Sequence, residues 1–321
     1  MRRLAALVLV VFVVTLAGRV GVAQMPTKVH RIGFLGTKES LEQLNEAFAA
    51  IGHVNGRDIA IDARWPENSR LDQLPALAAE LVRLKVDVIV AGGGTAARAA
   101  KDATAEIPIV FAAIIDPVSD GLVRNSVKPG GNVTGFTVFD ADQAREQLTL
   151  LKDIIPDLKR VAILGDTGAA LAPFKSNEDA ALDLGLRTVV VKVERGATDF
   201  DSAFDTAKKA DAQAVVVLST PVTSPNRRQI AASALKYNIP TLSPLAHADA
   251  GGLISYGTEF SQGVRRAAVY VDKILKGVPP GELPVETIRL PELVINLKTA
   301  RLLGLSVPPS VLSRATRVID Q

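Results

Sequence analysis

Short apolar runs alternate along this chain with stretches in which apolar residues recur every three or four positions. Arg31-Ile-Gly-Phe-Leu35 is such a run, closed by Gly36, and predicts a strand buried on both faces. Leu41, Leu44, Phe48 and Ile51 then share one face of a helix. Residues 58–62 predict a short strand. Leu74, Leu77, Leu81 and Leu84 predict a second amphipathic helix, and residues 86–90 a third strand, closed by Ala91 and the glycines at 92–94. A helix near 95–103 and a strand over 107–112 complete this set. The same rhythm starts again near residue 140, with helices over 142–155, 173–184, 200–210 and 226–237 and strands over 160–164, 188–193, 214–218 and 241–243. Strand–helix alternation at this spacing means crossover connections and parallel sheets flanked by helices. The fold class is therefore α/β, in two lobes of similar plan.

Residues 130–134 are the expected first crossing between the lobes. A glycine-flanked strand, Gly251-Gly-Leu-Ile-Ser-Tyr-Gly257, precedes a helix over 260–275 with Val264, Ala267, Ala268, Val271 and Ile274 on one side. That segment is expected to return to the first lobe. The first lobe is then 28–138 plus 251–281, and the second 139–250 plus 282–321.

Residues 1–23 follow a different pattern. Arg2 and Arg3 precede an uncharged, mostly apolar run from Leu4 to Ala17, and the stretch closes on the small residues Gly21 and Ala23. This is the pattern of a signal peptide cleaved near Ala23. The apolar run is shorter than the ~20 residues of a permanent membrane span, although a retained N-terminal anchor is the alternative. Export predicts a periplasmic location. Three of the 37 basic residues lie in this leader, which carries no acid, so the remaining body has 34 of each sign. A neutral body offers no electrostatic footprint for nucleic acid. The chain has no cysteine, which rules out disulfides, a thiolate metal site and a cysteine nucleophile.

Ligands of open parallel sheets sit beyond the carboxyl ends of the strands. In the first lobe those ends carry Thr37, Gly94, Thr95 and Asp116, and in the second Asp166, Thr167 and Thr220. The glycines at 92–94 free backbone amides to approach an anion at a helix start, or simply make a tight turn with Thr95 as its cap. The loop is not GxGxxG, which argues against a dinucleotide. Asp116 before Pro117 would accept from a ligand ammonium or cap the next turn, and Asp166 with Thr167 poses the same choice. His30, His53 and His247 lack a second ligand at metal spacing, so neither a metal nor another cofactor is expected. His247 is expected in a surface loop and Trp65 packed against a helix. Tyr256 would close over a ligand or brace the crossing. No catalytic nucleophile motif is present, so no enzyme is expected.

Several stretches, in order along the chain, resemble one family. They are Arg31–Leu35, Gly56–Ile61 through Arg64-Trp65, 77–90 (LAAELVRLKVDVIV), Ile107–Phe111 with Asp116-Pro117, 128–135 (KPGGNVTG), 251–257, 293–300 (LVINLKTA) and 304–309. The chain resembles periplasmic substrate-binding proteins of ATP-driven importers, of the branch that includes tryptophan- and phenylalanine-binding members. The resemblance implies a two-lobed type I periplasmic-binding-protein fold with three crossings. It implies a small-molecule ligand, an amino acid or other small carboxylate, clamped between the lobes, and a membrane permease as partner. A monomer is the expected state of such a clamp. The loop 219–223 lacks the acidic residue that many relatives place there, which weakens the amino-acid reading. A ligand-sensing partner of a membrane receptor, or an exported α/β enzyme, are the alternatives.

Overall fold

The structure is a computed structural model that describes residues 29–67, 70–194, 196–220, 222–243 and 246–320. The expected signal peptide lies outside the described residues. The first lobe contains β1 (His30–Leu35), α1 (Lys38–Ala50), β2 (Ile59–Arg64), α2 (Leu74–Arg83), β3 (Val88–Ala91), α3 (Gly94–Ala103), β4 (Ile109–Ile114) and β5 (Val133–Thr137). The second contains α4 (Ala141–Ile154), β6 (Arg160–Asp166), α5 (Leu171–Asp183), β7 (Arg187–Val193), α6 (Asp201–Lys209), β8 (Ala214–Val217), α7 (Arg227–Tyr237), β9 (Thr241–Ser243) and β10 (Ile254–Thr258). The chain goes on through α8 (Phe260–Leu275), β11 (Glu286–Thr287), β12 (Pro291–Asn296), α9 (Leu297–Leu302), α10 (Pro309–Leu312) and β13 (Arg317–Ile319).

The first sheet has the order β11-β5-β4-β3-β1-β2, parallel throughout. The second has the order β13-β12-β10-β9-β8-β6-β7. It is parallel from β7 to β10, while β12 pairs antiparallel with β10 and carries β13 parallel to itself. Successive strand residues face opposite layers, so each sheet builds two cores. In the first lobe, Phe34, Val90 and Ala112 join the layer of α1 and α8, while Leu35, Ala91 and Phe111 join that of α2 and α3. In the second, α4 and α5 cover one face and α6 and α7 the other. Burying one Leu or Val side chain contributes about 1.5–3 kcal/mol, and these apolar runs drive the layering.

The lobe boundaries differ from the sequence expectation. Residues 130–134 do not cross. The Gly130 amide donates to the Gly281 carbonyl at 3.3 Å, and β5 follows within the first sheet. β10 pairs with β9 and β12, so 254–258 belong to the second lobe, not the first. β11 pairs with β5, so 286–287 belong to the first lobe, not the second. The crossings therefore lie at 138–140, at 259 and at 288–290. They are tied together. Arg289 Nε lies 3.1 Å from Asp140 Oδ2, the Leu290 amide donates to Thr258 Oγ1 at 3.0 Å, and the Ile288 amide donates to the Thr137 carbonyl at 2.8 Å.

α8 packs on β4 through the predicted stripe. A Cβ on Gly263 would lie 1.7 Å from the Ala112 carbonyl oxygen, so only glycine lets the helix approach this closely.

His247 is fully buried, not in a surface loop. Its Nε2 lies 2.7 Å from Thr241 Oγ1, and the ring occupies the space that a Cβ on Gly252 would take. Burial, aided by the Arg227 charge, lowers its pKa to about 4. The fold loses the corresponding stability as pH drops from 6.5 toward 4, because the unfolded state then binds the proton first.

His53 shifts the opposite way. Its Nδ1 lies 2.6 Å from Asp58 Oδ2 and its Nε2 3.0 Å from Asp272 Oδ1 on α8. Burial disfavours the charged ring, but the hydrogen bonds and charges of Asp272 and Asp58 together outweigh it, so the pKa rises above 6.5. This clamp between the loop after α1 and α8 stabilises the fold at low pH and weakens as pH rises through the raised pKa. His53→Gln is expected to cost about 1–2 kcal/mol near pH ~6 and clearly less near pH ~8.5, read from urea unfolding midpoints. An equal cost at both pH values contradicts the clamp.

Candidate functional site

In each sheet the strand order reverses next to the first strand of its lobe. β2 lies on one side of β1 and β3 on the other, and β7 and β8 flank β6 in the same way. Such switch points open crevices at the carboxyl ends of strands. Here the two crevices face each other across a cleft of about 670 Å³, within the range of small-molecule sites.

The first-lobe wall starts from the turn between β3 and α3. A Cβ on Gly92 would lie 3.2 Å from Gly36 Cα, and Gly93 has φ +139°, so small residues are needed for this close turn. No side chain caps α3. Its first amides, at Gly94 and Thr95, therefore face the cleft with the positive end of the helix dipole behind them. The second-lobe wall mirrors this. α5 also has no side-chain cap, and the turn Gly168–Ala170 before it lines the cleft.

Arg98, Asp116 and Asp120 supply the charge on the first-lobe wall. Asp116 Oδ1 accepts from the Ser119 amide at 3.0 Å, so it both caps a turn and faces the cleft. The Asp120 pKa is raised, first by burial and then by the Asp116 charge, with Arg98 opposing. The Asp116 charge that disfavours ionisation of Asp120 also makes this a place where a cation is welcome.

Of the residues singled out from sequence, Gly94, Thr95, Asp116 and Thr220 line the cleft. The Thr220 hydroxyl is held within its own loop, accepting from the amides of Val222 (3.2 Å) and Thr223 (3.1 Å). Four others do not line it. Thr37 caps α1, accepting from the Ser40 amide at 3.2 Å, and it is Ser40 that reaches the cleft. Asp166 is 2 % exposed beneath the lining turn and accepts from the Gly168 amide at 2.7 Å, which shapes that turn. Thr167 is exposed, with its hydroxyl 3.4 Å from Glu194. Tyr256 does not line the cleft. It sits in the second-lobe core, its hydroxyl donates to Glu146, and burial followed by that bond raises its pKa. Trp65 is 43 % exposed just past β2 rather than packed away.

Sequence reasoning missed Arg98 and Asp120, although each stands three or four residues beyond a residue it did select, at Thr95 and Asp116. It also missed the floor of the cleft at Phe260 and Ser219. Beside that floor a second chamber of about 60 Å³ shares Ile115, Pro173, Leu218, Ser219 and Phe260 with the cleft and is closed by Gln147 and Asn177.

Two α/β lobes joined by three crossings around a ligand-sized cleft define a type I periplasmic binding protein. The chain belongs to the family of ABC transporter substrate binding proteins, whose model matches residues 36–319. It is 28 % identical over 264 residues to the tyrosine-binding protein of Clostridioides difficile (strain R20291), covering 79 % of this chain and 73 % of that one. It is similar to the ABC domain in complex with L-Trp from Streptococcus pneumonia, with a TM-score of 0.79 and 25 % identity over 91 % of this chain and all of that one. A conserved domain protein from Vibrio cholerae matches with a TM-score of 0.80 at 25 % identity, again over 91 % of this chain and 100 % of its own. The protein is thus a substrate-binding protein of an ABC transporter that takes a small molecule, not an enzyme. Its family is typically extracytoplasmic. No helix among the described residues is long and apolar enough to cross a membrane.

Thr95→Ala combined with Asp116→Ala is expected to weaken ligand binding at least about tenfold. The reference compound is whichever solute from a panel of amino acids, carboxylates, sugars and purines raises the melting temperature. The lost turn cap costs about 1 kcal/mol, so the melting temperature itself should drop by no more than about 4 °C. Unchanged affinity, measured by calorimetry, would place the pocket elsewhere.

Proposed function

We propose that this chain is the exported, periplasmic solute-binding component of an ATP-driven importer. It acts as a monomer that clamps an amino acid or another small carboxylate between its lobes and presents the closed form to the membrane permease. The observation that carries this reading is the pair of uncapped helix starts, α3 and α5, facing one another across the cleft beside the Asp116–Asp120 pair. A helix start and Arg98 favour a ligand carboxylate. The two aspartates favour an ammonium group, and they stand across the cleft from the loop 219–223, which has no acid of its own. The tyrosine and L-Trp named for two relatives are both amino acids, which supports the same class.

Closure about the three crossings would expel water from between the walls and strengthen each polar contact to the ligand. The permease then needs to read only the relation between the lobes, not the solute.

The test is a thermal-shift screen of the purified protein against amino acids, small carboxylates, sugars and purines. A ligand of the folded state stabilises it by about 2.7 kcal/mol at a hundredfold excess over its dissociation constant. An amino acid or carboxylate is expected to raise the melting temperature. A shift with sugars or purines alone, or with no compound, contradicts the proposal.

A further inference from the structure

The small chamber beside the cleft floor has a chemistry of its own. Its walls are mostly apolar, with Val138, Phe139, Ala144, Leu218 and Phe260 among them. Two side-chain amides close it, Gln147 on α4 at 3 % exposure and Asn177 on α5 at 4 %. Both amide nitrogens are committed to backbone carbonyls. Gln147 Nε2 donates to Tyr256 at 2.8 Å and Asn177 Nδ2 donates to Pro173 at 2.9 Å. Each bond uses one of the amide's two N–H groups and fixes which way the amide points, with the carbonyl oxygen on the other side as the acceptor. Asn177 Oδ1 is buried with no hydrogen-bond partner in the protein.

A buried acceptor without a partner is rare in native proteins and asks for a reason. Asparagine is also a weak helix former, and here it stands inside α5. The reason lies in the shape of the site. The chamber shares five lining residues with the cleft, so a ligand held in the cleft can extend into it. At about 60 Å³ it admits the narrow end of a ligand rather than a whole one. Its one charged lining residue, Asp140, is already engaged by Arg289 at 3.1 Å and by the Asp142 amide at 3.1 Å. The chamber therefore calls for a neutral group.

Building on the reading of the cleft as a solute clamp, we propose that this chamber is its specificity subsite, where Asn177 Oδ1 accepts a hydrogen bond from a neutral hydroxyl or N–H at the far end of an elongated ligand. The apolar walls take up the ligand's body, and the acceptor selects its tip. An analogue without the donor leaves Asn177 buried and unpaired, which is how a polar site rejects a near-isostere.

Matched probes test this. L-Tyrosine is compared with L-phenylalanine, and 4-hydroxybenzoate with benzoate, by calorimetry on the purified protein. In at least one pair the hydroxylated member is expected to bind at least about tenfold tighter. Asn177→Leu should erase that preference while keeping affinity for the unhydroxylated member within about threefold, and Asn177→Asp, which keeps an acceptor, should retain the preference. Equal affinity within both pairs in the unmutated protein means that solvent satisfies Asn177, and it overturns the subsite without depending on any variant. A preference that survives Asn177→Leu overturns it too. If none of the four probes binds but another solute still raises the melting temperature, the subsite is lost and the clamp stands. If no solute does, the clamp itself fails.

Discussion

Everything functional in this molecule depends on two strand-order reversals being held face to face. A parallel sheet sends all its strands out at one end, and where the order reverses, neighbouring connections run to opposite faces and leave a gap. One sheet has this gap between β1 and β3, the other between β6 and β8. Neither gap alone surrounds a ligand. The three crossings at 138–140, 259 and 288–290 bring both to the same cleft, and both lobes line it, the first with the larger share.

The crossings are joined to one another by few polar links, among them Arg289 to Asp140 and the Leu290 amide to Thr258. Each lobe, by contrast, has cores on both faces of its sheet. Rigid bodies linked by short, lightly tied strands are the physical basis of a hinge. The stiff parts also set the geometry of the walls. Gly263 lets α8 lie directly on β4, and β4 carries Asp116 at its end. The polar knot of Thr220 and Thr223 holds the facing loop, and the Thr223 hydroxyl donates to the Leu218 carbonyl at 2.5 Å.

Much of the fold was legible because strands buried on both faces read as short, mostly apolar runs, as at 86–90 and 160–164. Sheet membership was not legible in the last third. Ile254–Thr258 reads as a short buried strand that would suit either sheet, and only its pairing with Leu242–Ser243 and with Leu293–Ile295 decides between them. The same holds for the site. Gly94, Thr95, Asp116 and Thr220 could be found because strand ends predict crevices. Thr37 looked the same, but a threonine at a helix start serves a cap as readily as a ligand. His247 misled for a different reason. Its burial depends on the missing Cβ of Gly252, a contact that one-dimensional spacing does not reveal. Asn177 gave no signal at all, because an asparagine in a helix looks solvent-facing until its unpaired oxygen is seen.

The central claim is that a solute brings the two lobes together. The chain contains no cysteine, so two introduced thiols can be labelled without interference. Val118, 41 % exposed beyond β4, and Leu171, 74 % exposed at the start of α5, belong to opposite lobes. Val118→Cys with Leu171→Cys, carrying a donor and an acceptor dye, reports the separation of the lobes by energy transfer. Transfer should rise to a plateau as an amino acid or carboxylate that raises the melting temperature is titrated in. Transfer that stays constant while that same solute binds would contradict a clamp.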